Sequence, residues 1–286
     1  MSKDAVELPD GRALAYERRG TGPTLVCHPG GPGFTGLYFG DLAGLDEQLE
    51  LIILDPRGTG ESSRPADPKA YLIEHYVEDV EALRANLGLD GMALLGHSHG
   101  GVVAQVYAAT HPDRVAKLIL ANTLCRFSPE QQEAMQQAML RYEGEEWYAD
   151  AVVALEQEQA AEFASDEEMS ALVARELPFY FHRFTPEARA WVDSLRGDVL
   201  NADTLRFFNA ELFTTFDTRP LLERITAPTL ILYAEQDFIT GPACARDLIE
   251  GIPGARVVAL AEAGHMSWIE QPDAFRRAIL GFLAVS

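Results

Sequence analysis

Six short runs rich in leucine and β-branched residues recur along the chain: TLVCHPGG, LELIILDPRG, MALLGHS, KLILANT, PTLILYAEQD and ARVVALAEAG. Each is apolar almost without interruption and closes on turn residues, the pattern of a strand covered on both faces. Between them lie stretches of helical period. In HYVEDVEALRANLG, Val77, Val80, Leu83 and Leu87 recur at steps of three and four, and Gly88 supplies a stop. Strands alternating with helices predict an α/β fold, a mostly parallel central sheet with helices on both faces. The alternation breaks after Asn122. From Leu124 to Asp217 only helical patterns appear, with N-cap signals at Ser128-Pro129, at Ser165 before DEE, and at Thr185-Pro186. Strand patterning resumes at APTLILYAEQD. The prediction is a core built from residues 1–123 and 218–286, interrupted by an all-helical lid over residues 124–217 that folds across the strand ends.

Composition agrees with a globular core: the chain has 286 residues, 47% of them hydrophobic. Three widely spaced cysteines, Cys27, Cys125 and Cys244, suggest neither a disulfide framework nor a thiolate metal site. The start MSKDAVELPDGRALAY lacks the apolar centre of a signal peptide, and no window has the length of a membrane span. A cytoplasmic protein is expected. The net charge of −21 argues against nucleic acid or an anionic membrane as partner. The predicted lid holds 19 acidic and 7 basic residues, a balance of −12 in a third of the chain.

Chemistry enters at LLGHSHGG. Gly96-His97-Ser98-His99-Gly100 fits GxSxG at the corner between a strand, MALLG, and a helix, GVVAQVYAATH. In that setting small residues two before and two after the serine let the neighbouring backbone approach, and the turn lifts the serine hydroxyl above the sheet edge. Ser98 is therefore the candidate nucleophile. A serine needs a base and the base an orienting acid. His97 and His99, adjacent to Ser98 at a tight turn, point away from its hydroxyl. His99 is expected to give its backbone N–H to an oxyanion and to line the pocket, and His97 to pack under the elbow. Asp237 follows a strand in TLILYAEQD, and His265 sits in the loop after the last strand. The order Ser98, Asp237, His265 is that of one hydrolase architecture and differs from those of the other serine-protease folds. A second oxyanion donor is expected in the glycine loop Cys27–Gly33, with Gly31 the first choice and Gly30 the second. His28 has no partner at metal-ligand spacing, so structural support of that loop is its expected role.

On the elbow, the chain order and the glycine loop, the chain resembles the α/β-hydrolase fold family over nearly its whole length. Within it, HPGGPG followed by LDPRGTGESSRP is similar to the proline iminopeptidase-type aminopeptidases, whose signatures are an HGGPG loop and a D-x-R-G-x-G-x-S turn. Asp55, Arg57, Gly58, Gly60 and Ser62 match the second signature. Pro29 stands where those peptidases have the loop histidine, and His99 where they have tryptophan. The resemblance implies that lid glutamates hold a substrate amine. Glu211, in the apolar setting FFNAELF, is the candidate counterpart, and Phe238, where some relatives place an acid, is a candidate substrate contact.

The expected function is a cofactor-free serine hydrolase working through an acyl-enzyme on a small molecule or short peptide. An aminopeptidase or amidohydrolase acting on a free amine leads. A carboxylesterase, thioesterase or lactonase for an apolar acyl group is the alternative, and a non-catalytic ligand-binding protein of the same fold a distant third. A dehalogenase is disfavoured because the elbow carries serine and not aspartate. Oligomeric state has no signature in the sequence.

Overall fold

A computed structural model describes residues 2–8 and 10–284. Its centre is one eight-stranded sheet in the order β1-β2-β4-β3-β5-β6-β7-β8. The strands are β1 (Ser2–Glu7), β2 (Ala13–Arg19), β3 (Thr24–His28), β4 (Glu50–Leu54), β5 (Met92–His97), β6 (Val115–Ala121), β7 (Thr229–Ala234) and β8 (Arg256–Leu260). β1 and β2 pair antiparallel, as do β2 and β4, and every other pair is parallel. The last six strands are the six apolar runs. The hairpin β1–β2 is not among them, because the apolar stretch of β2 is short, Ala13–Tyr16, and closes on Glu17, Arg18 and Arg19. The edge strand β8 is an apolar run but is largely exposed and not covered on both faces.

Period-two packing divides the core into two halves. Val26, Ile52, Leu94, Leu118 and Ile231 face one way, onto α1 (Ile73–Asn86) and α2 (His99–Thr110). Their neighbours Leu25, Ile53, Leu95, Ile119 and Leu230 face the other, onto Tyr38, Phe39, Leu42 and the C-terminal helix of residues Pro272–Leu283. Since successive strand side chains point to opposite faces, only an uninterrupted apolar run can fill both layers.

Between β6 and β7 the chain forms α3 (Pro129–Met139), α4 (Tyr148–Gln159), α5 (Asp166–Glu176), α6 (Pro186–Ser194), α7 (Ala202–Phe207), a π-helical turn over Phe208–Leu212 and the short α8 (Arg219–Leu222). The hydroxyls of Ser128, Ser165 and Thr185 accept the backbone N–H groups of Gln131, Glu168 and Ala188, satisfying donors at the starts of α3, α5 and α6. These helices hold an apolar cluster of their own around Phe163, Met169, Leu172, Leu177 and Leu205. The helices α9 (Pro242–Gly251), α10 (Ser267–Glu270) and α11 (Pro272–Leu283) complete the chain.

After β3 the chain moves to one side of the sheet, and after β5 to the other. That reversal opens a crevice at the C-terminal ends of β3 and β5, flanked by the glycine loop and the Ser98 turn.

Candidate active site

Ser98 adopts φ 53° and ψ −123°, a conformation few non-glycine residues take, directly between β5 and α2. Its N–H is shared between the carbonyls of Ala121 (3.2 Å) and Asn122 (3.1 Å), and its own carbonyl accepts the Thr123 hydroxyl at 2.6 Å. The flanking glycines are sterically required. A Cβ on Gly96 would lie 2.4 Å from the Gly100 carbonyl oxygen, and one on Gly100 would lie 2.3 Å from that of His28.

Asp237 follows β7 and His265 follows β8. His265 Nδ1 lies 2.7 Å from Asp237 Oδ2. The carboxylate can only accept, so Nδ1 carries the proton and Nε2 is left as the basic nitrogen. Asp237 is held from several directions. Its Oδ1 accepts the N–H groups of Ile239 and Thr240, and its Oδ2 accepts the Thr240 hydroxyl at 2.6 Å and the Asn122 amide at 3.1 Å. Burial alone would raise its pKa, but the adjacent His265 ring and the donated hydrogen bonds outweigh that and hold the carboxyl well below the usual range. Ser98 and His265 line one cavity, and among the described residues no hydrogen bond engages the Ser98 hydroxyl. Such contacts are commonly long before substrate arrives.

The cavity holds about 500 Å³ between the crevice and the helices α3, α4, α5 and α7. Its apolar wall includes Phe127, Leu155, Val173, Leu205, Phe208 and Phe213. Gly31 lies on it, with φ 108°. Gly30 does not: its N–H is already donated to the Tyr38 hydroxyl at 2.5 Å, so it is not a free oxyanion donor. What Gly30 provides is closeness, since a Cβ there would sit 2.7 Å from that of Ser98.

Three expectations about side chains are corrected. The His99 ring does not line the cavity and is buried edge-on against Tyr76 and Phe208. His97 is buried against Tyr38, Phe39 and Trp268 and also reaches the cavity wall. At the sharp turn the two side chains leave in different directions, and only tertiary packing decides which meets the cavity. Burial pushes the His99 ring down to about 3, with His28 adding to the effect. Phe238 is packed between Phe179 and Tyr180, and its neighbour Ile239 takes the place on the wall. Glu211 is exposed on the π-helical turn and does not line the cavity.

The acids that do line it are Glu158 of α4 and Glu176 of α5. Both are buried, at 8% and 2% exposure. Glu176 Oε2 has no hydrogen-bond partner, and Tyr180 donates to Oε1 over a long 3.4 Å. Burial raises both carboxyls, and proximity to Glu158 raises Glu176 further. A sequence signal for them existed. Each acid fills the fourth place of an apolar i, i+3, i+4, i+7 stripe, after Ala151, Ala154 and Leu155 and after Met169, Leu172 and Val173.

The D-x-R-G-x-G-x-S residues build scaffold. Arg57 is buried against Asp79 at 2.8 Å, and Ser62 ties the β4 end to β2 by donating to the Asp55 carbonyl and accepting from Ala15 N–H. His28 is buried with Nδ1 2.8 Å from the Pro29 carbonyl, and burial brings its ring down to about 4. Among the described residues no cluster of three or more His, Cys, Asp or Glu side chains could hold a metal ion, and no helix is long and apolar enough to cross a membrane.

Comparison with known proteins matches residues 23–272 to the family model described as alpha/beta hydrolase fold. Among relatives, the chain is 32% identical over 99% of its length to polyketide synthase ThaQ of Burkholderia thailandensis, of which it spans 13%. It is 30% identical to a putative carbamate hydrolase RutD of Pseudomonas savastanoi over 91% of this chain and 93% of that one. A proline iminopeptidase of Lactobacillus helveticus is 30% identical over 88% and 87% of the two chains. Among solved structures, a hydrolase from Pseudomonas aeruginosa superposes with TM-score 0.76 at 28% identity over 99% of both chains. An enol-lactonase from Burkholderia xenovorans gives TM-score 0.74 at 26% identity over 98% and 99%.

Proposed function

The chain belongs to the α/β-hydrolase fold family and is a hydrolase, and from that premise we propose that Ser98, His265 and Asp237 carry out acyl transfer on a small substrate bearing a free amine. His265 Nε2 takes the Ser98 proton as the hydroxyl attacks a carbonyl carbon. The negative charge that develops on oxygen is met by the N–H groups of Gly31 and His99, the latter at the start of α2. The imidazolium, steadied by Asp237, hands its proton to the leaving group. Water activated by the same ring then releases the acid. These steps use protein groups and water only. The helices of residues 124–217 serve as a lid that closes the cavity over the reacting carbonyl.

One observation carries the choice of substrate: a buried carboxyl pair, Glu158 and Glu176, shares the cavity with Ser98 and includes an oxygen without a partner. A buried carboxylate calls for a cation, and a substrate ammonium supplies it. Such a substrate suits an aminopeptidase or amidohydrolase of the proline iminopeptidase type. Glu158 and Glu176 take the part first assigned to Glu211. A second reading has its own support in the phenylalanine and leucine wall, which fits an apolar acyl group of an ester, thioester or lactone.

Proline and alanine β-naphthylamides assayed beside short p-nitrophenyl esters separate the two. Ser98→Ala is expected to lower kcat by about four orders of magnitude or more with the fold retained. Glu176→Gln is expected to raise KM for the naphthylamides and leave that for the esters unchanged. Turnover of esters alone would overturn the amine reading in favour of the second.

A further inference from the structure

His97, the residue before Ser98, lies in a chain of hydrogen bonds whose direction is fixed at every link. Its Nε2 is 3.1 Å from the carbonyl oxygen of His265, and its Nδ1 is 2.8 Å from the Tyr38 hydroxyl. A carbonyl can only accept, so Nε2 carries the hydrogen. Burial and the neighbouring His265 ring push His97 well below the ordinary histidine range, so the ring is neutral and Nδ1 is bare. The Tyr38 hydroxyl, kept protonated by its burial, therefore donates to Nδ1, and its lone pair accepts the N–H of Gly30 at 2.5 Å. The chain runs from Gly30 N–H through Tyr38 and His97 to the backbone of His265, with no donor or acceptor left over.

Packing holds the two rings as firmly as the hydrogen bonds do. The His97 ring centroid is 4.5 Å from that of His265 and 4.9 Å from that of Trp268, and Tyr38 stands 4.7 Å from Phe39 and 5.7 Å from Trp268. Tyr38 and His97 are each 2% exposed, so neither hydrogen bond competes with bulk water.

One end of this chain lies in the loop after β3 and the other in the loop after β8, and both loops line the cavity with Ser98. The first end holds the N–H of the Pro29–Gly30 peptide, one peptide before the N–H of Gly31. The other fixes the loop that presents His265. We infer that His97 and Tyr38 are positioning residues that hold the oxyanion loop and the base loop at one spacing, so that Gly31 N–H and His265 Nε2 meet the same substrate carbonyl. The inference rests on the proposed roles of Ser98, His265 and Gly31. It gives the first histidine of HSH a task distinct from proton transfer, and it explains why Gly30, one residue from Gly31, is spent on structure.

Tyr38→Phe removes the link while keeping the ring, and His97→Ala removes both hydrogen bonds. His97→Gln restores an N–H near the Nε2 position. With whichever substrate the wild type turns over, Tyr38→Phe and His97→Ala are expected to lower kcat by about 10- to 100-fold with KM within about twofold, the signature of misplaced reacting groups. A fluorophosphonate should still label Tyr38→Phe to about one per chain, more slowly than wild type, and His97→Gln should recover part of the loss in His97→Ala. A kcat per labelled site within about twofold of wild type in Tyr38→Phe, with Ser98→Ala inactive, overturns the positioning role alone. Turnover surviving in Ser98→Ala overturns the assignment of the nucleophile on which it rests.

Discussion

A carboxyl group buried with one oxygen unpartnered destabilises the fold in its charged form, and Glu176 keeps such a group in the cavity that Ser98 lines. Its folded-state pKa is raised by burial and then by Glu158, so the folded protein retains a proton that the unfolded chain releases. Stability from this source is fully present below the ordinary carboxylate range and is lost as pH rises above it. The loss is about 1.4 kcal/mol for each unit by which the folded value exceeds the unfolded one. Glu176→Gln, neutral at every pH, is therefore expected to melt above wild type at pH 8 and to lose that advantage toward pH 4, as read by thermal denaturation across the range. An equal difference at both ends would remove the buried-acid account. The same substitution should weaken amine substrates, a trade of stability against binding at one residue.

Helices α3 to α7 have to be held in place over the crevice as well as formed. Formation is local: the Ser128, Ser165 and Thr185 caps sit where the sequence places them, and Thr185→Ala should lower stability to urea by about 1 kcal/mol while leaving kcat unchanged. Holding is not local. The Glu270 carboxylate, on α10, accepts the N–H groups of His182 and Arg183, just after α5, and of Gly264, next to His265, at 3.0, 2.9 and 2.6 Å. It joins the loop that presents His265 to the helices above the cavity. In Glu270→Gln one N–H faces an amide NH2. Stability should fall by about 1–3 kcal/mol. A lower kcat in stopped-flow assays would accompany it, unlike the Thr185→Ala case.

At the scale of the molecule the net charge of −21 is unevenly spread, with the segment over the cavity at −12. An acidic surface raises the local concentration of cations, and salt screens it over a Debye length of about 10 Å at 0.1 M. For an amine substrate, KM should rise between 20 mM and 500 mM NaCl, a range spanning weak to strong screening. For a neutral ester it should not. Salt-independent binding of both would confine the acidity to solubility.

Much of this architecture is legible in the chain, because its causes are local. Buried strands fill two layers and so read as unbroken apolar runs, helix starts carry their own caps, and the Ser98 elbow needs Gly96 and Gly100 at fixed spacing. The chain order of Ser98, Asp237 and His265 follows from the succession of strand ends. Tertiary structure alone decided which side chains face the cavity: His97 over His99, Ile239 over Phe238, Glu158 and Glu176 over Glu211. Residues adjacent in sequence differ in direction, and direction at a turn is set by what packs against it from far along the chain. The engagement of Gly30 by Tyr38 and of His97 by the His265 backbone is of the same kind, since those partners lie 8 and 168 residues away. Sequence specifies the groups available to the site, and long-range packing specifies which of them remain free to act.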